Sequence, residues 1–118
     1  SGDWYEGEFV RGTMHGHGEW VYSRGGRYTG PFENGVAHGD GQYVGPSHEE
    51  YRGYFEHNLP HGKGIMVWPN GSRYEGEWKR GKSHGMGSWA HEGDAYEGGF
   101  RNGLPHGSGR LLSANGDL

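Results

Sequence analysis

The sequence predicts an all-β fold: an elongated, single-layer antiparallel sheet of stacked β-hairpins, with no helices. Three observations predict it. The pattern tyrosine, any, glycine, any, aromatic begins five times, at Tyr5, Tyr28, Tyr51, Tyr74 and Tyr96, with a period of 23 residues for three steps and 22 for the last. Each copy runs on to His-Gly-x-Gly and a large apolar residue. Within each copy, side chains alternate at period two, which is the periodicity of a strand. A period of this length marks a supersecondary unit that cannot bury its own apolar face and must stack on its neighbours.

The fourth copy shows how each element arises. Tyr74-Glu75-Gly76-Glu77-Trp78-Lys79 alternates aromatic, polar, glycine, polar, aromatic, and reads as a first strand. Arg80 to Gly85 has turn chemistry, with two glycines and polar flanks. Met86-Gly87-Ser88-Trp89-Ala90 reads as a second strand. A further turn such as Trp68-Pro69-Asn70-Gly71 leads from one hairpin to the next. The same reading applies to the copies at Tyr5, Tyr28, Tyr51 and Tyr96. It gives ten strands of about 5–6 residues each. The turn column holds Gly12, Gly35, Gly81 and Gly103, but Asn58 in the third copy. Asparagine best replaces glycine where φ is positive, so this column predicts a left-handed backbone. The one-residue deletion falls between the fourth and fifth copies, in a connecting loop, where it inverts no strand face.

Ten sequential strands form a meander. At about 4.8 Å per strand, five repeats span roughly 50 Å. Tyr74, Gly76 and Trp78 share one face, and a neighbouring ring is expected over each strand glycine. The opposite face carries charges such as Glu6, Glu8, Glu75 and Glu77. The column Val21, Val44, Val67, Ala90 and Leu112 points the same way.

Composition bounds function. The 118 residues include 27 glycines, five tryptophans, eight tyrosines and four phenylalanines, yet only 30% are apolar. That is too little for a close-packed two-layer core. The net charge of −4 argues against a nucleic-acid partner, which wants a basic face. With no cysteine there is neither a disulfide framework nor a thiolate metal site. The sequon Asn70-Gly71-Ser72 reads as another Asn-Gly turn, like Asn34-Gly35, Asn102-Gly103 and Asn115-Gly116. A cytoplasmic setting is the default.

The quoted repeats resemble the MORN (membrane occupation and recognition nexus) family, and the resemblance covers the chain from Tyr5 to Gly116. It implies an extended twisted sheet of hairpins without catalytic activity. It also implies scaffold roles in cytoskeletal, ciliary or flagellar structures and at membranes, sometimes beside kinase or methyltransferase domains. Protein partners and phospholipids are both implied ligands. Gly2-Asp3-Trp4 and Gly116-Asp117-Leu118 both look like the tail of a repeat, so a five-repeat piece of a longer array is expected.

The expected function is a non-catalytic scaffold holding a peptide or helix of a protein partner along an aromatic groove. The groove candidates are Tyr28, Tyr51, Tyr54, Phe55, Tyr74, Trp78, Trp89 and Tyr96, since aromatics dominate binding hot spots. The alternative is phosphoinositide binding at Arg73, Lys79, Arg80 and Lys82, the one basic cluster. A third reading is an accessory arm of a multidomain enzyme. Unpaired end strands are templates for homodimerisation. No cofactor or metal is expected: His15, His38, His61, His84 and His106 recur at one turn position and lie in a line, where four ligands cannot converge. Arg52 and Tyr54 break the repeat and so draw attention.

Overall fold

A computed structural model describes residues 2–113; the expected Asn115-Gly116 turn and the Gly116-Asp117-Leu118 tail lie outside them. Among the described residues there are eleven strands and no helix: β1 (Trp4–Val10), β2 (Thr13–Val21), β3 (Arg27–Glu33), β4 (Val36–Ala37), β5 (Gly39–Val44), β6 (Glu50–Glu56), β7 (Leu59–Val67), β8 (Arg73–Lys79), β9 (Lys82–His91), β10 (Asp94–Arg101) and β11 (Leu104–Leu112). They form one antiparallel sheet in sequence order, with β4 paired to β3 beside β5. The extents are 56 × 24 × 19 Å, the elongated array that the repeats predict.

The strand count exceeds ten because the second strand of repeat two is broken at His38 into β4 and β5. The strands are also longer than expected. The stretch Arg80 to Gly85, read as a turn, is a two-residue turn followed by the bulged start of β9. The cause is the turn type. Arg11-Gly12, Asn34-Gly35, His57-Asn58, Arg80-Gly81 and Asn102-Gly103 all have positive φ at both residues, between 51° and 87°. These are tight type I′ hairpins, whose twist matches that of the strands they join. Asn58 at φ 71° confirms the left-handed column. In four of the five hairpins the register then shifts, as between Gly76↔Gly87 and Trp78↔Ser83. Two more residues are inserted on the second strand than on the first, so His84 and Gly85 stand in a bulge.

Each turn is tied to the repeat before it. The amides of Gly35, Asn58, Gly81 and Gly103 donate to the carbonyls of Met14, Ala37, Pro60 and Ser83 at 2.9–3.1 Å. The first three connections between repeats are five-residue loops closed alike. Tyr22, Gly45 and Trp68 donate to the carbonyls of Gly26, Glu49 and Ser72. In the last loop, Asn70 Oδ1 accepts from both the backbone N–H and the hydroxyl of Ser72, so the sequon is a turn in this structure. The fourth connection, shortened by the deletion, is a type I′ turn at Glu92-Gly93, with φ 50° and 87°.

The core is a single continuous ladder of rings on one face. Each repeat tyrosine packs edge to face on the aromatic four residues later and on the equivalent ring of the next repeat. The series Phe9, Tyr5, Phe32, Tyr28, Phe55, Tyr51, Trp78, Tyr74, Phe100, Tyr96 runs at centroid separations of 4.8–5.3 Å and interplanar angles of 78–89°. This is the preferred geometry for aromatic pairs. Tyr28, Tyr51 and Tyr74 are at most 2% exposed. In this way a ladder of ten rings supplies a core that few aliphatics could.

Candidate functional site

The tyrosine hydroxyls set the opposite face. Each bends over its own strand and donates to the carbonyl three residues on: Tyr5 to Glu8, Tyr28 to Pro31, Tyr51 to Tyr54, Tyr74 to Glu77 and Tyr96 to Gly99, at 2.8–3.1 Å. The ring therefore covers two glycines, one on its own strand and one on the next. A Cβ on Gly76 or Gly87 would run into Tyr74, and one on Gly53 or Gly64 into Tyr51. The ring expected over each glycine is thus present, and one ring serves both strands. Burial pushes the Tyr74 hydroxyl up to about 12, and those of Tyr28 and Tyr51 higher still.

Directly paired, these glycines form one row across the sheet: Gly7↔Gly18↔Gly30, then Gly41↔Gly53↔Gly64↔Gly76↔Gly87↔Gly98↔Gly109. Aromatics close one side of the row. On the other side, the residues flanking each glycine stand up as walls, leaving a groove with a backbone floor. From β6 to β11 it is an open trough of about 1080 Å³, with Arg52, Lys63, Ile65, Glu75, Glu77, Met86, Ser88, Glu97, Ser108 and Arg110 along its sides. A smaller stretch of about 420 Å³ continues it to Asp40 and Gln42 on β5. This is the charged face expected from Glu6, Glu8, Glu75 and Glu77, and exposed Val67 stands on it too.

The expected groove residues fall in three places. Tyr28, Tyr51, Phe55, Tyr74 and Trp78 are at most 6% exposed and are core. They cover one another, so a ligand reaches them only by unpacking the ladder. Trp89 and Tyr96 are half-buried at the margin of that core. Tyr54 stands on the other face, opposite Asp40 on β5, where its hydroxyl lies 3.3 Å from His38 Nε2. The groove was legible in part: every first-strand glycine is flanked by residues that alternate to the opposite face. The burial of the rings, which makes that face the open one, was not.

The basic cluster divides. Lys79 and Lys82 are paired across the β8–β9 turn that Arg80 occupies. Arg73 begins β8, six residues away or roughly 20 Å at strand rise. Among the repeated histidines, His38 lies 3.5 Å from Glu33 and packs on Tyr54, and His61 lies 3.5 Å from Glu56. No group of three or more His, Cys, Asp or Glu side chains among the described residues is placed to hold a metal ion. No described helix is long and apolar enough to cross a membrane.

Comparison with curated proteins returns no match. The family model for the MORN repeat matches five segments, 5–27, 28–49, 51–73, 74–89 and 96–118. These begin at the five tyrosines whose rings build the ladder. MORN repeats are in general non-catalytic modules of interaction and membrane association. With matched segments over most of its length and the hairpin array beneath them, the chain belongs to the MORN repeat family.

Proposed function

We propose that this chain is a non-catalytic scaffold that holds an extended or helical segment of a protein partner in the glycine-floored groove. One observation carries the reading: a continuous open trough of about 1080 Å³ crosses six strands on the face that the aromatics leave uncovered. Its floor is backbone already paired in the ladder. It therefore offers shape and wall side chains, and binding there need not disturb the fold. Exposed Met86 and half-buried Ile65 supply apolar contact within charged walls, as interfaces combine an apolar centre with a polar rim. A random-peptide display library panned on the chain tests this. Binders should be lost when Ser88→Trp fills the channel. Retention by that variant, with its circular dichroism unchanged, would place binding elsewhere.

A second reading rests on the turn at Lys79, Arg80 and Lys82, where two paired lysines flank an arginine. Three cations at one tight turn suit an anionic headgroup. Sedimentation with vesicles containing phosphatidylinositol 4,5-bisphosphate tests it. Equal binding to vesicles of phosphatidylcholine alone, at physiological salt, would exclude it.

A further inference from the structure

The walls of the groove are not uniform in charge, and their pattern specifies what kind of segment fits. On one wall Arg52 (β6), Ile65 (β7) and Glu75 (β8) are directly opposite one another. On the other wall Lys63 (β7) is directly opposite Glu77 (β8). Both walls thus turn anionic at β8, the first from Arg52 across Ile65 and the second directly from Lys63. These charges are not spent on each other. Among the described residues, neither Arg52 nor Lys63 has a carboxylate at ion-pair distance, and Glu75 has no cation there. Glu77 accepts the backbone N–H of Met86 at 2.8 Å, which holds its carboxylate over β9 and away from Lys63. Further along, Glu97 and Arg110 lie 3.4 Å apart and compensate each other. The uncompensated step is therefore local, with Ile65 at its centre.

We infer that the partner segment, on the groove reading above, is bipolar: an acidic residue seated over Arg52 and Lys63, an apolar residue over Ile65, and a basic residue over Glu75 and Glu77. Arg52 and Lys63 stand on the two sides of the Gly53–Gly64 floor in a chain whose net charge is −4. Both are exposed, have no carboxylate partner among the described residues, and are complementary to a carboxylate. From Arg52 to Glu75 is two strand spacings, roughly 10 Å. In an extended segment residues three apart point to opposite faces, so acid and base cannot both enter the channel at that distance, whereas a helix covers it in about seven residues at 1.5 Å each. On a helix the positions i, i+3 or i+4, and i+7 share a face, so the acid, the apolar anchor and the base all point into the channel. Like-charge contacts are penalised more than matched ones are rewarded, so the step also fixes the direction in which the segment lies.

The experiment is the same peptide panning on the full chain, with the selected sequences read for charge. The native chain should enrich peptides carrying an acidic and a basic residue seven positions apart with an apolar residue three or four positions from each. The double variant Arg52→Glu/Lys63→Glu should bind those peptides about tenfold more weakly, most of it in the salt-dependent part of the affinity. It should also enrich peptides with a base in place of the acid. Arg24→Glu/Arg101→Glu changes net charge equally at exposed positions off the groove, and should leave selection unchanged. Peptides lost in Ser88→Trp but indifferent to the Arg52/Lys63 reversal would overturn the bipolar segment and leave the groove standing. Equal weakening by both double variants would reduce the effect to net charge and overturn it too. Failure to enrich any peptide would overturn both readings.

Discussion

The tyrosine that opens each repeat does three things at once. Its ring joins the ladder, its hydroxyl bonds a carbonyl three residues on, and its body covers two glycines. Tyr74→Phe keeps the ring and removes the donor to the Glu77 carbonyl, so it should cost about 1 kcal/mol, read as a lower urea midpoint with unchanged slope. Gly87→Ala should cost more, about 1–3 kcal/mol as for an overpacked core, because the added Cβ meets the Tyr74 ring. The same burial gives a pH dependence. Tyr74, Tyr28 and Tyr51 keep their protons in the fold above the ordinary tyrosine value of 10.0. The unfolded chain releases them near that value, so the stability they contribute is complete below pH 10 and is lost as pH rises toward 12. With three protons at stake, stability should fall by at most about 4 kcal/mol per pH unit, most steeply near the middle of that window. Thermal unfolding followed from pH 9 to 12 checks this; a melting temperature flat to pH 12 would contradict it.

The second turn position of the hairpins and the fourth position of the five-residue loops both have positive φ, and each holds glycine in every copy but one. In the three five-residue loops the fourth residue is Gly25, His48 and Gly71, with φ of 97°, 72° and 91°. His48 is exposed and is held by a backbone bond from its amide to the Gly45 carbonyl. A left-handed conformation costs a non-glycine residue about 1–2 kcal/mol, partly offset by the greater unfolded-state freedom of glycine. His48→Gly should therefore stabilise by about 0.5–1 kcal/mol, visible in the same urea titration. Asn58 is a different case despite its φ of 71°. Its Oδ1 accepts the Ala37 amide at 2.8 Å, stitching repeat three to the broken strand of repeat two. Asn58→Gly should relieve the strain but lose the stitch, and gain nothing.

At the scale of the molecule, stability is a chain of nearest-neighbour terms. Each inner repeat is covered on both sides, whereas every residue of β11 and nearly every residue of β1 except Tyr5 is exposed. Amide hydrogen exchange on this chain should therefore be slowest in β6 to β8 and fastest in β1 and β11. Uniform protection would mean that the array unfolds as one cooperative unit. The Cα radius of gyration of 16.2 Å exceeds the roughly 13 Å of a compact domain of this size. Small-angle scattering should return the larger value.

Much of this is local, and local features are legible in a sequence. Period-two alternation set the strands, paired Asn-Gly and Arg-Gly turns set the hairpins, and a 23-residue period set their stacking. Asn58 in a glycine column pointed to a left-handed backbone, which φ of 71° bears out. The bulges at His84-Gly85 and its counterparts were not legible, because a two-residue insertion in a glycine-rich run leaves the composition of a turn. Nor was the side on which the sheet stays open. A row of rings alone does not say whether they line a groove or fill a core; that depends on whether each reaches the ring of the next repeat. Only the tertiary structure, bringing Tyr51 within 5.3 Å of Trp78 across 27 residues of chain, closes that face. It moves the groove to the glycine floor opposite, where Arg52, Lys63, Glu75 and Glu77 meet.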